Sequence, residues 1–413
     1  MGSIDHRSYF SVSNTMVLVI NTGSSSIKMA LVEMPSEKLL SEAVTERVGE
    51  AGTILSWKVA GETQRFDLAG ADHHVAMAKM LEILFASVDR ASIAAVGHRV
   101  VHGGEKFIKP TLLDDAVIAE IKSLSHLAPL HNPANLLGIQ AAMKHLPVIP
   151  HIAIFDTAFH HAMPPHACLY AVPYSWYSDY GVRRYGFHGS SHHYVAQQAA
   201  LLLGREFDDC NLITAHLGNG CSATAIANGI SVDTTMGMTP LEGLVMGSRS
   251  GDVDPGLHEY MARVSGASLA EISEALNRQS GLLGLSGRSN DMRTLLDATE
   301  AGDERAALAV DIFCYRLAKS LAGLAVALPQ IDAIVFTGGI GEHAAVVREK
   351  TVAQLAILGV ALDAERNRQH GRASHGFISK AEGSVPVLVI ATSEETMIAR
   401  YAYEVLKREE NIT

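Results

Sequence analysis

The chain has 413 residues, of which 48% are hydrophobic and 19% are charged. This composition is typical of a globular protein, argues against a disordered chain, and at this length predicts about two domains. The formal net charge of −11 excludes the extended basic surface that nucleic-acid binding requires, so nucleic acid is not expected as a partner.

Neither a membrane segment nor a secretion signal is predicted. No apolar run approaches the ~20 residues that a transmembrane helix needs, and no basic segment precedes an apolar one at the N-terminus. Cys168, Cys210, Cys221 and Cys314 lack C-x-x-C spacing, so reduced, buried thiols are expected. These features predict a cytoplasmic protein without membrane contact. Met1–Thr15 is polar and aperiodic and is predicted to be a disordered extension.

The first predicted elements are two strands joined by a polar turn. Val17–Ile20 has the pattern of a strand buried on both faces, and Met29–Val32 is a returning strand. The connecting segment Asn21–Lys28 contains glycine, three serines and a lysine, and such a turn can surround an anion with N–H groups, hydroxyls and a cation. An ordinary serine-rich hairpin explains the same residues equally well.

A helix and a second buried strand follow. Apolar residues recur at helical spacing in Val75–Val88, and Val96–Gly104 is a strand that runs into a glycine turn. This strand carries Arg99, for which a half-exposed strand arginine is the simpler interpretation. Helices are expected at Asp114–Leu124 and after Asn132, which is predicted to cap a helix with proline at its first position.

A carboxylate is predicted at the end of the next strand. Val148–Phe155 has the pattern of a buried strand, and Asp156 follows it directly. Ligands bind at the carboxyl ends of strands in α/β sheets, so Asp156 is a candidate functional residue. Met163–Pro165 then breaks the pattern and predicts a domain boundary nearby.

Two histidines lie where a turn leads into a helix that ends near Leu203. His188 and His192 are four residues apart and could bind one metal ion. Because no H-E-x-x-H motif accompanies them, helix capping and packing are the favoured uses.

The second half begins much as the first half does. Asn211–Ala215, Cys221–Ala227 and Ile230–Thr234 predict a three-strand meander whose first turn is His216–Gly220. This layout repeats that of the opening hairpin and indicates a weak internal duplication. The glycine-rich segment Met236–Gly256, which carries an arginine at position 249, is predicted to be a ligand-contacting or mobile loop.

A second glycine turn offers a rival interpretation. After a long helix over 306–328, the strand Ala333–Phe336 opens into Gly339-x-Gly341-x-x-Ala344, which fits the dinucleotide fingerprint, and Asp363 lies near the position of its ribose-binding acid. The pattern suits an adenosine or a phosphate equally well.

The last predicted strand, Val385–Ile390, precedes Glu394 and an amphipathic helix that ends near Lys407. A carboxylate in the first turn of a helix is favoured by the helix dipole, so Glu394 has a structural explanation as well.

Phosphoryl transfer is the chemistry that these candidates suit together. It needs an N–H and lysine cradle, a carboxylate-anchored divalent cation and cations that neutralise the transferred group. The chain resembles the acetate kinase family, within the acetate and sugar kinase/Hsp70/actin superfamily, from residue 16 to the final helix. The motifs that carry the resemblance are Val19–Ser26, Gly97–Gly104, Phe155–His160, Tyr185–Gly189, His216–Gly220, Met246–Asp252, Asp291–Arg293 and Gly338–Glu342.

The resemblance implies roles for individual residues. Arg99 would bind the acyl substrate, Asp156 would be the catalytic acid, and His188 and Arg249 would stabilise the transition state. Mg²⁺ or Mn²⁺ would be held by Asn21 and Glu394, and ATP or ADP would be the co-substrate. The residues that would bind this nucleotide are Lys28, Ser24, Ser26, His216, Leu217, Gly218, Asn219, Gly220, Asp291, Met292, Arg293, Gly339, Ile340, Gly341, Glu342 and His343. The acyl group would lie near Val101, Leu130, His131, Phe187 and Pro240.

The family also implies an architecture. Two duplicated ribonuclease H-like (actin-like ATPase) α/β domains would close over an active-site cleft, and the protein would be a homodimer. Residues 16–160 with 394–413 would form an N-terminal domain on the acyl-substrate side, and residues 161–393 a nucleotide-binding C-terminal domain.

Four residues depart from the family pattern. Ser393 stands in place of Asn, and His343 also replaces Asn, which affects the expected metal and nucleotide contacts respectively. Ser190 and Ser248 replace threonines and keep the hydroxyl.

The role of Asp156 can be considered from chemistry alone. A carboxylic acid with a pKa of about 4–5 is already ionised at neutral pH, so its phosphorylation needs no general base. We hypothesise that Asp156 orients an arginine or a metal-bound phosphate. Acetate is the expected acceptor and acetyl phosphate the product. A propionate or short-chain acyl kinase, a nucleotide-gated actin/Hsp70-like module and an NAD dehydrogenase are the alternatives.

Overall fold

The computed structural model describes residues 15–59, 61–380 and 384–412. The described chain forms two compact units, one that ends at Ala158 and resumes at Glu394, and one from Phe159 to Ser393. The predicted extension lies outside the described residues except for Thr15, which is the first residue of a strand and not of a disordered segment.

An eight-stranded mixed sheet forms the centre of the first unit. Its order is β5-β4-β3-β2-β1-β6-β8-β7, with β1, β6 and β8 parallel to one another. The strands are β1 Thr15–Thr22, β2 Ser26–Met34, β3 Lys38–Glu46, β4 Ile54–Val59, β5 Glu62–Asp67, β6 Ile93–Val100, β7 Thr111–Leu112 and β8 His151–Phe155.

A five-stranded sheet forms the centre of the second unit. Its order is β11-β10-β9-β12-β13, with β9, β12 and β13 parallel. The strands are β9 Asn211–Leu217, β10 Cys221–Ala227, β11 Ile230–Thr234, β12 Ala333–Thr337 and β13 Val387–Val389. An antiparallel meander followed by two parallel strands is also the order β3-β2-β1-β6-β8 of the first sheet. The repeat predicted from sequence layout is therefore confirmed in topology.

Helices cover both sheets. In the described residues they are α1 His73–Phe85, α2 Asp115–Ser123, α3 Asn132–His145, α4 Pro165–Cys168, α5 Tyr174–Tyr180, α6 Gly189–Leu203, α7 Leu257–Ser265, α8 Leu269–Arg278, α9 Gly281–Ser286, α10 Met292–Glu300, α11 Glu304–Leu324, α12 Gly338–His343, α13 Ala345–Ala353, α14 Ala364–Arg368 and α15 Glu394–Ile412. None of the described helices is both long enough and apolar enough to span a bilayer.

Strand β1 is buried on both faces, as its apolar run predicts. Leu18 and Ile20 join the cluster under α1, while Val17 and Val19 join the cluster under α15. Alternate side chains of a strand point to opposite faces, so β1 anchors both helix layers. Gly97 in β6 allows α15 to pack closely, because a Cβ there would lie 2.8 Å from a methyl group of α15.

One local prediction is wrong, and three strands are missing from the predictions. Asn132 does not cap α3, because the cap position is His131 and Asn132 is the first helical residue. Strands β3 to β5 were not predicted at all, since β5 consists mostly of exposed polar residues and carries no apolar alternation. The four cysteines are buried and free, as predicted.

Candidate active site

An ion pair joins the ends of two neighbouring parallel strands in the first unit. Arg99 leaves β6 beside β8, and its Nε lies 2.9 and 3.2 Å from the two oxygens of Asp156, which follows β8. The Arg99 Nη2 lies 2.6 Å from Asp156 Oδ2. The side chains are only 19% and 3% exposed, so Arg99 is not a half-exposed strand arginine. A bidentate contact of this kind fixes the guanidinium plane.

A second carboxylate faces the same arginine. Glu394, the first residue of α15, lies 3.9 Å from the Arg99 Nε, and together Arg99, Asp156 and Glu394 are called the Arg99 cluster here. Burial disfavours the charged form of Arg99, but the two carboxylates outweigh it and raise its pKa. Burial raises the pKa of Asp156. The positive charge of Arg99 opposes this rise, and the negative charge of Glu394 adds to it. Two carboxylates against one guanidinium leave an excess of negative charge that suits a cation.

The donors expected to hold a divalent cation fit that ion chemically. Glu394 supplies a carboxylate and Asn21, at the end of β1, supplies an amide oxygen. Mg²⁺ prefers oxygen ligands and is commonly bound by one or two carboxylates together with substrate phosphates and water. Among the described residues no cluster of three or more His, Cys, Asp or Glu could hold a metal ion.

The serine turn of the first unit is a tight hairpin. The Gly23 N–H donates to the Ser26 carbonyl at 2.8 Å, so this N–H is used within the turn and is not offered to an anion. Ser24 and Lys28 are exposed, and Lys28 pairs with Asn21 across the hairpin. The exposed hydroxyl and ammonium remain candidates for phosphate binding.

Two asparagines that the sequence analysis did not single out for this purpose hold the first-unit site together. The Asn135 side chain accepts from the Val101 N–H at 3.0 Å and donates to the Thr22 carbonyl at 2.7 Å, which ties the end of β6 to the end of β1. Asn132 exchanges two such bonds with the His102 backbone. These contacts explain why Asn132 does not serve as a cap.

The remaining acyl-site candidates of the first unit differ in burial. Val101 is buried, Leu130 is 46% exposed, and His131 is half-buried at the start of α3. Only Val101 is thus held within the core of this unit.

A histidine network occupies the second unit. His188 is the N-cap residue of α6, with a left-handed backbone, but its side chain makes no cap bond, so the predicted capping is confirmed in position only. Its Nδ1 lies 2.8 Å from the Ser222 Oγ, which in turn lies 2.7 Å from the His192 Nε2. The His192 Nδ1 continues the chain to Thr214 Oγ1 at 2.7 Å. Burial holds the pKa of His192 well below its usual value, so this imidazole stays neutral.

A second chain of hydroxyls supports the neighbouring imidazole. The His216 ring stacks on that of His188 with centroids 4.4 Å apart. The His216 Nδ1 lies 2.7 Å from the Ser191 Oγ, and this hydroxyl lies 2.8 Å from Thr392 Oγ1. In both rings the Nδ1 atom is therefore the nitrogen that a serine hydroxyl supports.

Arg249 and His188 converge on Gly220. A Cβ placed on Gly220 would lie 3.5 Å from the His188 Nε2 and 3.6 Å from the Arg249 Nη1. The Arg249 Nη1 also donates to the Pro240 carbonyl at 2.7 Å. Pro240 therefore contributes a backbone oxygen that orients Arg249. Phe187 is 1% exposed, and its carbonyl oxygen lies 3.0 Å from the His160 Nε2.

A cavity of about 530 Å³ lies in the second unit and is called the Gly218 cavity here. Its lining includes many of the residues predicted to contact a nucleotide. These are Gly218, Asn219, Asp291, Met292, Arg293, Gly339, Ile340 and His343. Asn290, Leu296 and Ala344 also line it and were not predicted; Asn290 and Ala344 directly adjoin predicted motifs, whereas Leu296 is recognisable only from the turn of α10.

Other predicted nucleotide residues do not line this cavity. Leu217 is fully buried, and His216 and Gly220 belong to the imidazole network described above. Gly341 is also buried. The Glu342 carboxylate accepts from the N–H of Gly338 at 3.1 Å and of Thr392 at 3.3 Å, so it supports the backbone.

Comparison with known proteins identifies the family. The model of the acetokinase family matches residues 16–400. The chain belongs to the acetokinase family.

The relatives are similar over almost their full length. An acetate kinase of Deinococcus radiodurans is 53% identical over 93% of this chain and 96% of the relative. An acetate kinase of Thermotoga maritima is 48% identical over 95% of this chain and 99% of the relative. Among solved structures, a propionate kinase from Francisella tularensis matches with a TM-score of 0.91 at 41% identity, over 94% of this chain and 99% of that one. The structure of Porphyromonas gingivalis acetate kinase matches with a TM-score of 0.87 at 43% identity, over 95% of this chain and 100% of that one.

Membership of the acetokinase family rules out one of the alternatives left open by the sequence. The duplicated ribonuclease H-like fold is confirmed, and the dehydrogenase interpretation of Gly339–Ala344 is wrong. In the structure α12 spans only Gly338–His343, and the Asp363 carboxylate caps α14 by accepting from two backbone N–H groups. That carboxylate is therefore a helix cap and not a ribose-binding acid.

Proposed function

We propose that this protein is an acetate kinase, which reversibly transfers the γ-phosphoryl group of ATP to acetate and gives acetyl phosphate and ADP. The observation that carries this proposal is the family match over residues 16–400, which includes both the Arg99 cluster and the Gly218 cavity. Relatives that are 48% and 53% identical bear the same name.

The acid substrate needs positioning and charge neutralisation. Acetate, with a pKa of about 4–5, is ionised at neutral pH, so no group has to remove a proton from it. Arg99 would bind this carboxylate, and Asp156 would hold the guanidinium plane through the bidentate contact. Asp156 is then a positioning residue and not a general acid or base.

The transferred phosphoryl group needs donors that face its oxygens. Arg249 and the His188 Nε2 converge on Gly220 and would stabilise the charge of the in-line transition state. If Ser222 donates to the His188 Nδ1, the proton of this imidazole lies on Nε2, where it is available to a phosphoryl oxygen.

A divalent cation supplies further neutralisation of phosphate charge when it is bound. We propose that Asn21 and Glu394 hold Mg²⁺ or Mn²⁺, which is supported by their oxygen donors and by the excess negative charge of the Arg99 cluster. The Gly218 cavity would hold the nucleoside, and Lys28, Ser24 and Ser26 the phosphates.

Propionate is the second candidate substrate, because a structurally similar relative is a propionate kinase. One additional methylene in an apolar pocket changes the free energy of binding by only about 1–3 kcal/mol. We expect the buried Val101 to make propionate a poorer substrate than acetate without excluding it.

The domain roles, location and assembly are further parts of this proposal. The unit that contains the Arg99 cluster would bind the acid, and the unit that contains the Gly218 cavity would bind the nucleotide. The family resemblance supports a cytoplasmic homodimer, for which light scattering coupled to size-exclusion chromatography is the test of assembly.

Hydroxylamine trapping tests the function. The protein is incubated with ATP, Mg²⁺, acetate and hydroxylamine, and acetohydroxamate is measured; matched reactions omit acetate or replace ATP with NAD. An acetate kinase forms hydroxamate only in the complete reaction. ATP binding or hydrolysis without hydroxamate would contradict the proposal and favour a nucleotide-gated binding module.

A further inference from the structure

Arg348, in α13, is a fully buried arginine whose guanidinium binds backbone carbonyls of α12, the short helix that contributes to the Gly218 cavity. Its side chain is 0% exposed. The Nη1 donates to the carbonyl oxygens of Gly341 at 2.7 Å and Glu342 at 3.0 Å. Both carbonyls belong to α12, the short helix whose residues Gly339, Ile340 and His343 line the cavity.

The other half of the guanidinium is held by the segment around α14. The Nε donates to the Asn367 Oδ1 and the Nη2 to the Asn367 carbonyl, both at 2.8 Å. The Nη2 also lies 2.9 Å from the His370 Nδ1, which must act as the acceptor because the guanidinium has no acceptor of its own. Asn367 is 2% exposed and donates in turn to the Ala345 carbonyl at 2.9 Å.

Burying this guanidinium carries a free-energy cost, which its hydrogen bonds must offset. A buried guanidinium loses its hydration, and only a complete set of hydrogen bonds offsets that loss. Burial lowers the pKa of Arg348 to about 10, so the side chain keeps its charge at neutral pH. A charged donor binds a carbonyl more strongly than a neutral one, and its planar fork sets direction as well as distance.

The opposite end of α12 is fixed independently. The Glu342 carboxylate accepts from the N–H of Gly338. Gly338 has a φ of +76°, and a Cβ at this position would lie only 2.8 Å from the carbonyl oxygen of Leu217. The turn into α12 therefore has little freedom at its start. Arg348 holds its other end, next to His343, through the Gly341 and Glu342 carbonyls.

We propose that Arg348, oriented by Asn367 and His370, is a positioning residue for nucleotide binding. It holds the Gly341 and Glu342 carbonyls so that the cavity face of α12 keeps the shape that the nucleotide requires. This inference rests on the proposed use of the Gly218 cavity for ATP and ADP. It assigns a functional role to three residues that do not line the cavity.

Four variants test the proposal in the full-length protein. Arg348→Lys keeps the charge but cannot reproduce the planar fork. His370→Gly removes the acceptor and His370→Asn keeps one near the Nδ1 position; both accept the positive φ of 53° at this residue. Arg366→Met is the matched control, since Arg366 lies in α14 beside Asn367 but reaches only Asp363 and the Ser379 carbonyl.

The readouts are the KM values for ATP and acetate, kcat, the calorimetric Kd for ADP and the thermal midpoint. Loss of a hydrogen bond to a charged group weakens binding about tenfold. We therefore expect Arg348→Lys and His370→Gly to raise the ATP KM and the ADP Kd about tenfold with the acetate KM nearly unchanged. His370→Asn should restore most of the ADP affinity, and Arg366→Met should match the wild type.

Two outcomes overturn the inference. A lowered thermal midpoint with unchanged ADP affinity in Arg348→Lys and His370→Gly would show that Arg348 only stabilises the fold. An equal rise in both KM values would show an effect that is not specific to the nucleotide. Failure of the wild-type enzyme to form acetohydroxamate would instead contradict the proposed function, so the two failures are distinguishable.

Discussion

The Arg99 cluster of the first unit and the Gly218 cavity of the second unit solve different recognition problems. The cluster concentrates one guanidinium and two carboxylates in a largely buried place, whereas the cavity is lined mainly by glycines, apolar side chains and amides, together with His343 and the exposed Asp291–Arg293 ion pair. Two further charged residues near the cavity, Glu342 and Arg348, do not line it and bind backbone atoms instead. Under the proposed function, the cluster would recognise a small carboxylate through direct charge, while the cavity would recognise the nucleotide through a wall of fixed shape.

The largest expected effect is at the buried ion pair. Asp156→Asn removes the charge partner of Arg99 and leaves the cation less firmly oriented, which in buried pairs costs about 3–5 kcal/mol. We expect kcat/KM for acetate to fall roughly a thousandfold. Glu120→Gln, which breaks the more exposed pair with Lys106, should have little effect.

The pH dependence of this variant sharpens the comparison. If Asp156 positions Arg99, raising the pH will not restore activity, because no proton is transferred by residue 156. Steady-state rates measured from neutral to alkaline pH decide the point. Recovery of turnover at alkaline pH would show that Asp156 acts as a base.

The next effect separates the two arginines. We expect Arg249→Ala mainly to lower kcat, by about a hundredfold, because Arg249, which lies beside Gly220, would face the transferred group. Arg99→Ala should also raise the KM for acetate, since Arg99 would bind the acid itself. Steady-state kinetics with each substrate varied measure both constants, and unchanged values in both variants would remove them from the site.

A smaller effect is expected behind His188. Ser222→Ala removes the hydroxyl shared by the His188 Nδ1 and the His192 Nε2. We expect kcat to fall about tenfold with little change in the KM for ATP, because the imidazole loses its preferred proton position. Ser222→Thr keeps a hydroxyl and should recover most of the activity; an unaltered kcat in Ser222→Ala would refute this role.

The smallest effect concerns stability. Burial lowers the pKa of His160 to about 4, and the unfolded value is about 6.5. Between these pH values the unfolded chain binds more protons than the folded chain does. The contribution of His160 to the free energy of unfolding is therefore fully present above about pH 6.5 and is lost as the pH falls, by up to about 1.4 kcal/mol per pH unit.

Urea unfolding between pH 7.5 and 5 measures this loss. His160→Gln should make the dependence shallower without abolishing it, because burial also lowers the pKa values of His98, His151 and His192; His126→Gln, at an exposed position, should leave it unchanged. An equally steep dependence in His160→Gln would show that other groups cause the acid destabilisation.

The sequence indicates candidate site residues more readily than it indicates the side chains that support them. Asp156 is a candidate because a carboxylate at the end of an apolar strand is a local pattern, whereas only the family resemblance singles out Arg99. Asn135 could not, because its bond to Thr22 spans 113 residues and depends on how α3 packs. The contact of Ser222 with His192 likewise joins different elements of the second unit.

The same reasoning explains the errors in the fold. Strand β5 has no apolar face that would indicate a strand in the sequence. It extends the preceding meander by pairing with β4. Asn132 is a residue type that favours a helix cap, and a proline follows it. Its side chain instead accepts a hydrogen bond from the backbone N–H of His102, 30 residues away. Local patterns thus predict element type and site chemistry, while tertiary contacts decide which polar side chain bonds to which backbone.

Phosphorus NMR of the reaction mixture is the most direct measurement of the central claim. The protein is given ATP, Mg²⁺ and acetate, and the signals of ATP, ADP, acetyl phosphate and inorganic phosphate are followed over time. An acetate kinase produces acetyl phosphate and ADP in equal amounts, and added ADP with acetyl phosphate regenerates ATP. Release of inorganic phosphate without acetyl phosphate, or no change in ATP, would contradict the account.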